Sequence, residues 1–136
     1  MNLYLMRHGN APERQDGRER SLSDLGKKEV RRTAEECAAY AAGLDTIYHS
    51  PKLRAVQTAE IAAAAFSPGP DSIPADSMLP LDDISHWKRR LRELRGNIML
   101  VTHMPFVADL TLALLKESGT ITNLSFATAQ IVHLVR

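Results

Sequence analysis

The chain has 136 residues, 44% hydrophobic and 24% charged, which fits one ordinary globular domain with one core over residues 1–136. Its 17 basic and 16 acidic residues leave a formal charge of +1, which gives no case for a nucleic-acid partner. Cys37 is the single cysteine, so neither an intrachain disulfide nor a cluster of thiolate metal ligands is expected. No apolar run reaches membrane-spanning length and no secretory signal opens the sequence, so a reduced, cytoplasmic setting without a membrane partner is the expectation.

Leu3 to Met6 is a short apolar run that reads as a buried strand, stopped by Gly9. Asn10 to Arg20 is polar, carries Pro12 and Gly17, and reads as an exposed loop. Ser23 caps a helix with Asp24 in its first turn, and Val30, Ala34, Cys37 and Ala41 recur at helical spacing. Gly43 ends that helix. Thr46 to His49 is a second strand. Ser50-Pro51 then reads as a capping residue followed by proline at the first helical position, opening an alanine-rich helix to about Phe66. Ser67 to Pro70 is a loop, and a third strand is placed around Ser72 to Ala75.

Leu79 to Asp83 forms another loop. Ile84, Trp87, Leu91 and Leu94 mark an amphipathic helix, with Arg89, Arg90, Arg92 and Arg95 read as its solvated face, and Gly96 closes it. Ile98 to Val101 is a buried strand ended by Thr102-His103. Pro105 starts an apolar helix to about Lys116, Gly119 marks a turn, and Gln130 to Val135 is a final strand. This alternation implies an α/β fold with a mainly parallel sheet covered on both faces.

Two arginines and two histidines fall at strand ends: Arg7, His8, Arg54 and His103. Open α/β sheets bind ligands at the carboxyl ends of their strands. A site that moves a phosphoryl group must neutralise its oxygens, place a nucleophile in line and exclude bulk water. Arg7 and Arg54 suit the first task, because a guanidinium stays charged and donates two parallel hydrogen bonds. His8 suits the second, since neutral imidazole is nucleophilic. Its attacking nitrogen must lack a proton, so its other nitrogen is expected to donate to a backbone carbonyl. His103 is the second imidazole, able to donate to the phosphoryl oxygens. Asn10 and the loop after it border the pocket and contact substrate. His49 is assigned to core packing. His86 and His133 have no partners at metal-ligand spacing, and no metal is expected.

Four ordered segments carry a family resemblance: Leu5-Met6-Arg7-His8-Gly9-Asn10-Ala11, Leu22-Ser23-Asp24-Leu25-Gly26, Ser50-Pro51-Lys52-Leu53-Arg54-Ala55-Val56-Gln57-Thr58-Ala59, and Leu100-Val101-Thr102-His103-Met104-Pro105. Together they resemble the signatures of the histidine phosphatase superfamily, the phosphoglycerate-mutase-like fold. The resemblance implies a three-layer α/β/α sandwich whose mainly parallel sheet ends in one antiparallel C-terminal strand. It also implies cofactor-independent hydrolysis through a phosphohistidine on His8. The short interval between Arg54 and His103, and His103-Met104-Pro105 itself, resemble SixA-like phosphohistidine phosphatases. Larger relatives carry a helical roof in that interval, so an open site and a phosphorylated protein partner are expected here. The sheet edge beyond the last strand is expected to be bare or to pair with another subunit.

Ester hydrolysis needs an acid for the leaving oxygen. The family often places a glutamate in the loop after the third strand, where this chain has Leu81. Asp82 or Asp83 is the candidate replacement, and the competing reading has both capping the Ile84 helix. A phosphohistidine substrate lessens the need for an acid. The alternatives are a small-molecule phosphomonoesterase acting on a small phosphate ester, and a non-catalytic module that binds phosphate or phosphohistidine.

Overall fold

The computed structural model describes residues 1–135; Arg136, the end of the span read from the sequence, lies outside the described residues. Nine elements follow in order: β1 (Asn2–Arg7), α1 (Asp24–Tyr40), β2 (Thr46–His49), α2 (Leu53–Ala64), β3 (Asp71–Pro74), α3 (Ser85–Glu93), β4 (Ile98–Thr102), α4 (Phe106–Glu117) and β5 (Ile131–Val135). The strands form one sheet in the order β3-β2-β4-β1-β5. All neighbours are parallel except β5, which runs antiparallel to β1. The expected α/β sandwich, with its one antiparallel C-terminal strand, is the observed fold.

Side-chain alternation on the inner strands builds two cores. Tyr4 and Met6 of β1, Ile47 of β2, and Met99 and Val101 of β4 pack with α1 and α2 on one face. Leu3, Leu5, Tyr48, Ile98 and Leu100 pack with α3 and α4 on the other. Strands covered on both faces read as unbroken apolar runs, which is why β1 and β4 were legible. The outer strand β3 is exposed throughout, and β5 is only partly covered.

The helix boundaries follow local chemistry. Ser23 caps α1 as expected, its hydroxyl accepting from Gly26 N at 2.9 Å. The Ser50-Pro51 reading needs correction. The helix starts at Leu53 with Lys52 at its cap, so Ser50 and Pro51 lie in the turn before it. The solvated-face reading of α3 fails at Arg90, whose guanidinium lies over the rings of Tyr48 and Trp87, at 4.8 and 4.7 Å from their centroids. A guanidinium over an aromatic face gains cation–π attraction and covers apolar surface.

Parallel register sets the functional edge of the sheet. Arg7 pairs with Thr102, and His49 pairs with Val101. The ladder runs one step further, with His8 N donating to Thr102 O at 2.9 Å and Ser50 N to Val101 O at 3.1 Å. His8, Ser50 and His103 therefore emerge side by side at the carboxyl ends of three adjacent strands. Close packing fixes the loop that follows β1. A Cβ on Gly26 would overlap the Asn10 carbonyl oxygen, and one on Gly9 would meet Val30 Cγ2 at 2.6 Å. Glycine at both positions lets α1 lie directly on this loop. Met104–Pro105 is cis, and α4 begins at the next residue.

Candidate active site

His8 is buried, and its Nδ1 donates to the carbonyl of Gly9 at 2.7 Å. A carbonyl only accepts, so the proton sits on Nδ1 and Nε2 keeps its lone pair. This is the arrangement expected of an attacking imidazole. The ring of His103 lies 5.2 Å away, with the two planes at 62°. His103 is also buried, and its Nε2 lies 2.7 Å from Ser50 Oγ.

Three buried nitrogens have no hydrogen-bond partner among the described residues: Arg7 Nε, Arg54 Nε and His103 Nδ1. Buried donors are rarely left unpaired, and the exceptions call for an explanation. Here all three belong to side chains singled out from the sequence, and a bound oxyanion offers acceptors to all of them. Arg7 is steered by one bond, from a terminal guanidinium nitrogen to Phe126 O at 2.8 Å. Thr58 accepts from Gly9 N at 3.0 Å and donates to Arg54 O at 2.7 Å, tying the loop after β1 to the turn that carries Arg54. Gln57 holds Leu22 N in the same way at 2.8 Å. Gln57 and Thr58 of α2 thus hold both ends of the connection between β1 and α1.

The charge acting on the two imidazoles is cationic, while Glu19 opposes the lowering of Arg54. Burial, with added repulsion from Arg54, Arg7 and Arg20, pushes His8 down from 6.5 to about 4, although its bond to Gly9 opposes the shift. Burial also takes His103 down to about 3, with Arg54 and His8 contributing next. Burial followed by Arg20 lowers both Arg7 and Arg54 from the usual guanidinium value. Both imidazoles are neutral near pH 7, and the surrounding charge is cationic. Such a site favours an anion.

Stability should therefore depend on pH. An unfolded histidine takes up its proton near 6.5, whereas folded His8 resists protonation until about 4. Below pH 6.5 the unfolded chain binds protons that the folded chain refuses. Stability from these groups is complete above 6.5 and falls as pH drops toward the folded values. Denaturant titrations from pH 7.5 to 4.5 should give a steeper decline for the wild type than for a His8→Asn, His103→Asn double variant. Equal slopes would contradict this account.

Arg20 was not singled out from the sequence. Its Nε donates to Ala11 O at 2.7 Å, and its charge acts on Arg7, His8, Arg54 and His103 alike. Its signal was its place in the polar loop that follows His8. That loop is anchored at its far end, since Glu19 accepts from Leu53 N at 2.7 Å. Asn10 directs its amide nitrogen to Ser23 Oγ at 2.8 Å, locking the loop onto α1. Ser50, read as a helix cap, instead faces His103.

The two aspartates serve the backbone. Asp82 accepts from Leu79 N at 2.8 Å and Asp83 from Ser85 N at 2.7 Å. The bonds to Ser85 hold Asp83 below the usual carboxylate range. Both line a surface hollow with Ser77, Ser85, His86 and Arg89, which includes none of the four core residues. His49 is buried, donating from Nδ1 to Ser50 O at 3.0 Å. His133 stacks on Tyr4 at 4.5 Å, and His86 lies 3.8 Å from Asp76 on the surface. Among the described residues no three His, Cys, Asp or Glu side chains converge as a metal site, and no helix is long and apolar enough to cross a membrane.

Comparison with known proteins bears on the fold and the family. The chain is similar in structure to the protein histidine phosphatase SixA complexed with tungstate: 22% identity, TM-score 0.85, covering 99% of this chain and 88% of that one. A protein of Agrobacterium tumefaciens, assigned as a phosphohistidine phosphatase SixA, gives 23% identity and a TM-score of 0.82, covering 97% and 89%. A phosphoserine phosphatase of Entamoeba histolytica in complex with 3-phosphoglyceric acid gives 16% and 0.69, covering 98% and 90%. At these identities the likeness establishes the fold. No curated protein sequence matches the chain. The family model of the histidine phosphatase superfamily (branch 1) matches residues 3–78, which hold Arg7, His8 and Arg54. With more than half its length matched, the chain belongs to the histidine phosphatase superfamily and is a phosphatase.

Proposed function

We propose that the chain hydrolyses protein phosphohistidine through a covalent phosphoryl group on His8. In the first step His8 Nε2 attacks phosphorus in line while the substrate imidazole leaves. Arg7, Arg54 and His103 hold the three nonbridging oxygens as charge shifts among them. In the second step water displaces the phosphoryl group from Nε2 and frees inorganic phosphate. The hydrogen bond from His8 Nδ1 to Gly9 O carries this reading, because it fixes the nucleophilic tautomer before substrate arrives.

The chemistry of the leaving group supports the substrate class. An alkyl phosphate expels an alkoxide and needs a carboxylic acid that holds its proton near neutral pH. Asp82 and Asp83 are committed to backbone N–H groups, and Asp83 is held below its ordinary range. A phosphohistidine whose other ring nitrogen carries a proton leaves as neutral imidazole, the leaving nitrogen keeping the electron pair of the N–P bond, so no acid has to protonate the leaving atom. The similarity to SixA structures points the same way.

The test compares kcat/KM for a phosphohistidine protein, a sugar phosphate and an aryl phosphate, with and without chelator. Phosphohistidine should be preferred, chelator should leave turnover unchanged, and joint replacement of Asp82 and Asp83 by asparagine should alter phosphohistidine turnover less than twofold. Preference for the sugar phosphate would make the protein a small-molecule phosphomonoesterase. Tight phosphohistidine binding without turnover would make it a binding module.

A further inference from the structure

Ser50 has no role in the scheme above, yet it is fully buried and, among the described residues, makes the one hydrogen-bond contact to the His103 ring nitrogens, at 2.7 Å. We propose that Ser50 is the positioning residue that sets the proton of His103 on Nδ1, so that a neutral imidazole donates to the phosphoryl group. This inference rests on the reading of His103 as a phosphoryl donor.

The argument begins with what holds Ser50. Its backbone N–H donates to Val101 O at 3.1 Å, extending the ladder between β2 and β4. Its carbonyl accepts from His49 Nδ1 at 3.0 Å. Its hydroxyl oxygen accepts from Lys52 N at 3.3 Å, at the turn into α2. A serine oxygen has one hydrogen to give and two lone pairs to fill. With Lys52 N–H on one lone pair, the hydroxyl hydrogen is free to go to His103 Nε2. Nε2 accepts that hydrogen only when it carries none of its own. In a neutral ring the remaining proton is then on Nδ1.

The opposite ring nitrogen is the one left open to a ligand. His103 Nδ1 is buried and has no hydrogen-bond partner among the described residues. A protonated nitrogen left in that state is costly unless a ligand accepts from it. Burial first, and the surrounding cations after it, keep His103 neutral near pH 7, so it has one N–H to offer. A histidine with two donors needs no tautomer control, whereas a neutral one donates only from the nitrogen that holds the proton. Ser50 at Nε2 and Gly9 O at His8 Nδ1 are therefore opposite instructions. A carbonyl on Nδ1 makes His8 an attacking lone pair at Nε2, and a hydroxyl on Nε2 makes His103 a donor at Nδ1.

Two measurements on the whole protein test this. Nitrogen-15 spectra of the histidine rings at pH 7.5, with His103 assigned by difference against His103→Gln, read the tautomer directly. The wild type should show a protonated Nδ1 and an unprotonated Nε2 at His103. Ser50→Ala should show a mixture of tautomers, and Ser50→Thr, which keeps the hydroxyl, should restore the wild-type pattern. In parallel, Ser50→Ala should lower kcat on the order of 10- to 100-fold with KM changed far less, the loss of one hydrogen bond that strengthens in the transition state. Wild-type His103 protonated on Nε2 would overturn the proposal. So would a Ser50→Ala variant that keeps both the Nδ1–H tautomer and kcat within twofold of wild type. The tautomer is read without substrate, so it stands apart from the covalent mechanism, which trapped phosphate on His8 decides.

Discussion

Replacing His8 by alanine should abolish turnover, with kcat/KM falling on the order of 10⁴-fold or more, as loss of a covalent nucleophile does elsewhere. No other side chain in the site can substitute. His103 has its Nε2 engaged by Ser50, and Arg7 and Arg54 carry charge but no lone pair. The fold should survive the change, because the ladder bonds at this position come from the backbone: His8 N to Thr102 O at 2.9 Å, and Ala129 N to His8 O at 3.1 Å. The wild type quenched in base during turnover should carry one acid-labile phosphate, and His8→Ala should carry none. A His8→Ala protein that turns over at a tenth of the wild-type rate would exclude covalent catalysis. An unlabelled wild type with normal turnover would point to direct attack by water.

How much of this was legible in the sequence depends on where the deciding interactions lie. β1, β2 and β4 announce themselves, because strands buried on both faces read as continuous apolar runs, and their ends locate His8 and His103. The carbonyl partner of His8 was also foreseeable, since a nucleophilic imidazole demands it. Ser50 was not. Serine before proline has a local explanation as a helix cap, and the contact that overrides it comes from His103, just past the end of the neighbouring strand β4. Sequence distance hides such pairs until strand order and register are known. Arg20 was lost among the charges of its loop for the same reason: only the return of the chain to Ala11 and Leu53 brings it to the site. Arg90 was misread because helical periodicity marks a polar face without showing that Tyr48, on another element, lies beneath it. Asp82 and Asp83 were placed between two roles, and backbone N–H groups claim both, that of Leu79 in their loop and that of Ser85 at the start of α3.

Arg54 should show two separable effects when replaced. Its Nε is buried without a hydrogen-bond partner among the described residues, so that donor is available to a phosphoryl oxygen. Arg54→Ala should reduce kcat about 10²- to 10³-fold, the scale of losing one preorganised donor to developing charge, and should weaken phosphate binding as well. Arg54→Lys keeps the charge but not the planar fork, and should recover binding more than turnover. The second effect is on pH. Arg54 lowers His103 more than any other charge does, and it is also the leading charge acting on His8, although burial outweighs it at both sites. Removing it should raise both imidazoles part of the way back toward 6.5. The acid limb of kcat/KM for the free enzyme, governed by loss of the His8 lone pair near pH 4, should move upward in Arg54→Ala and much less in Arg54→Lys. An acid limb that stays in place in Arg54→Ala would mean that burial alone keeps His8 neutral, leaving Arg54 only its role in holding the anion.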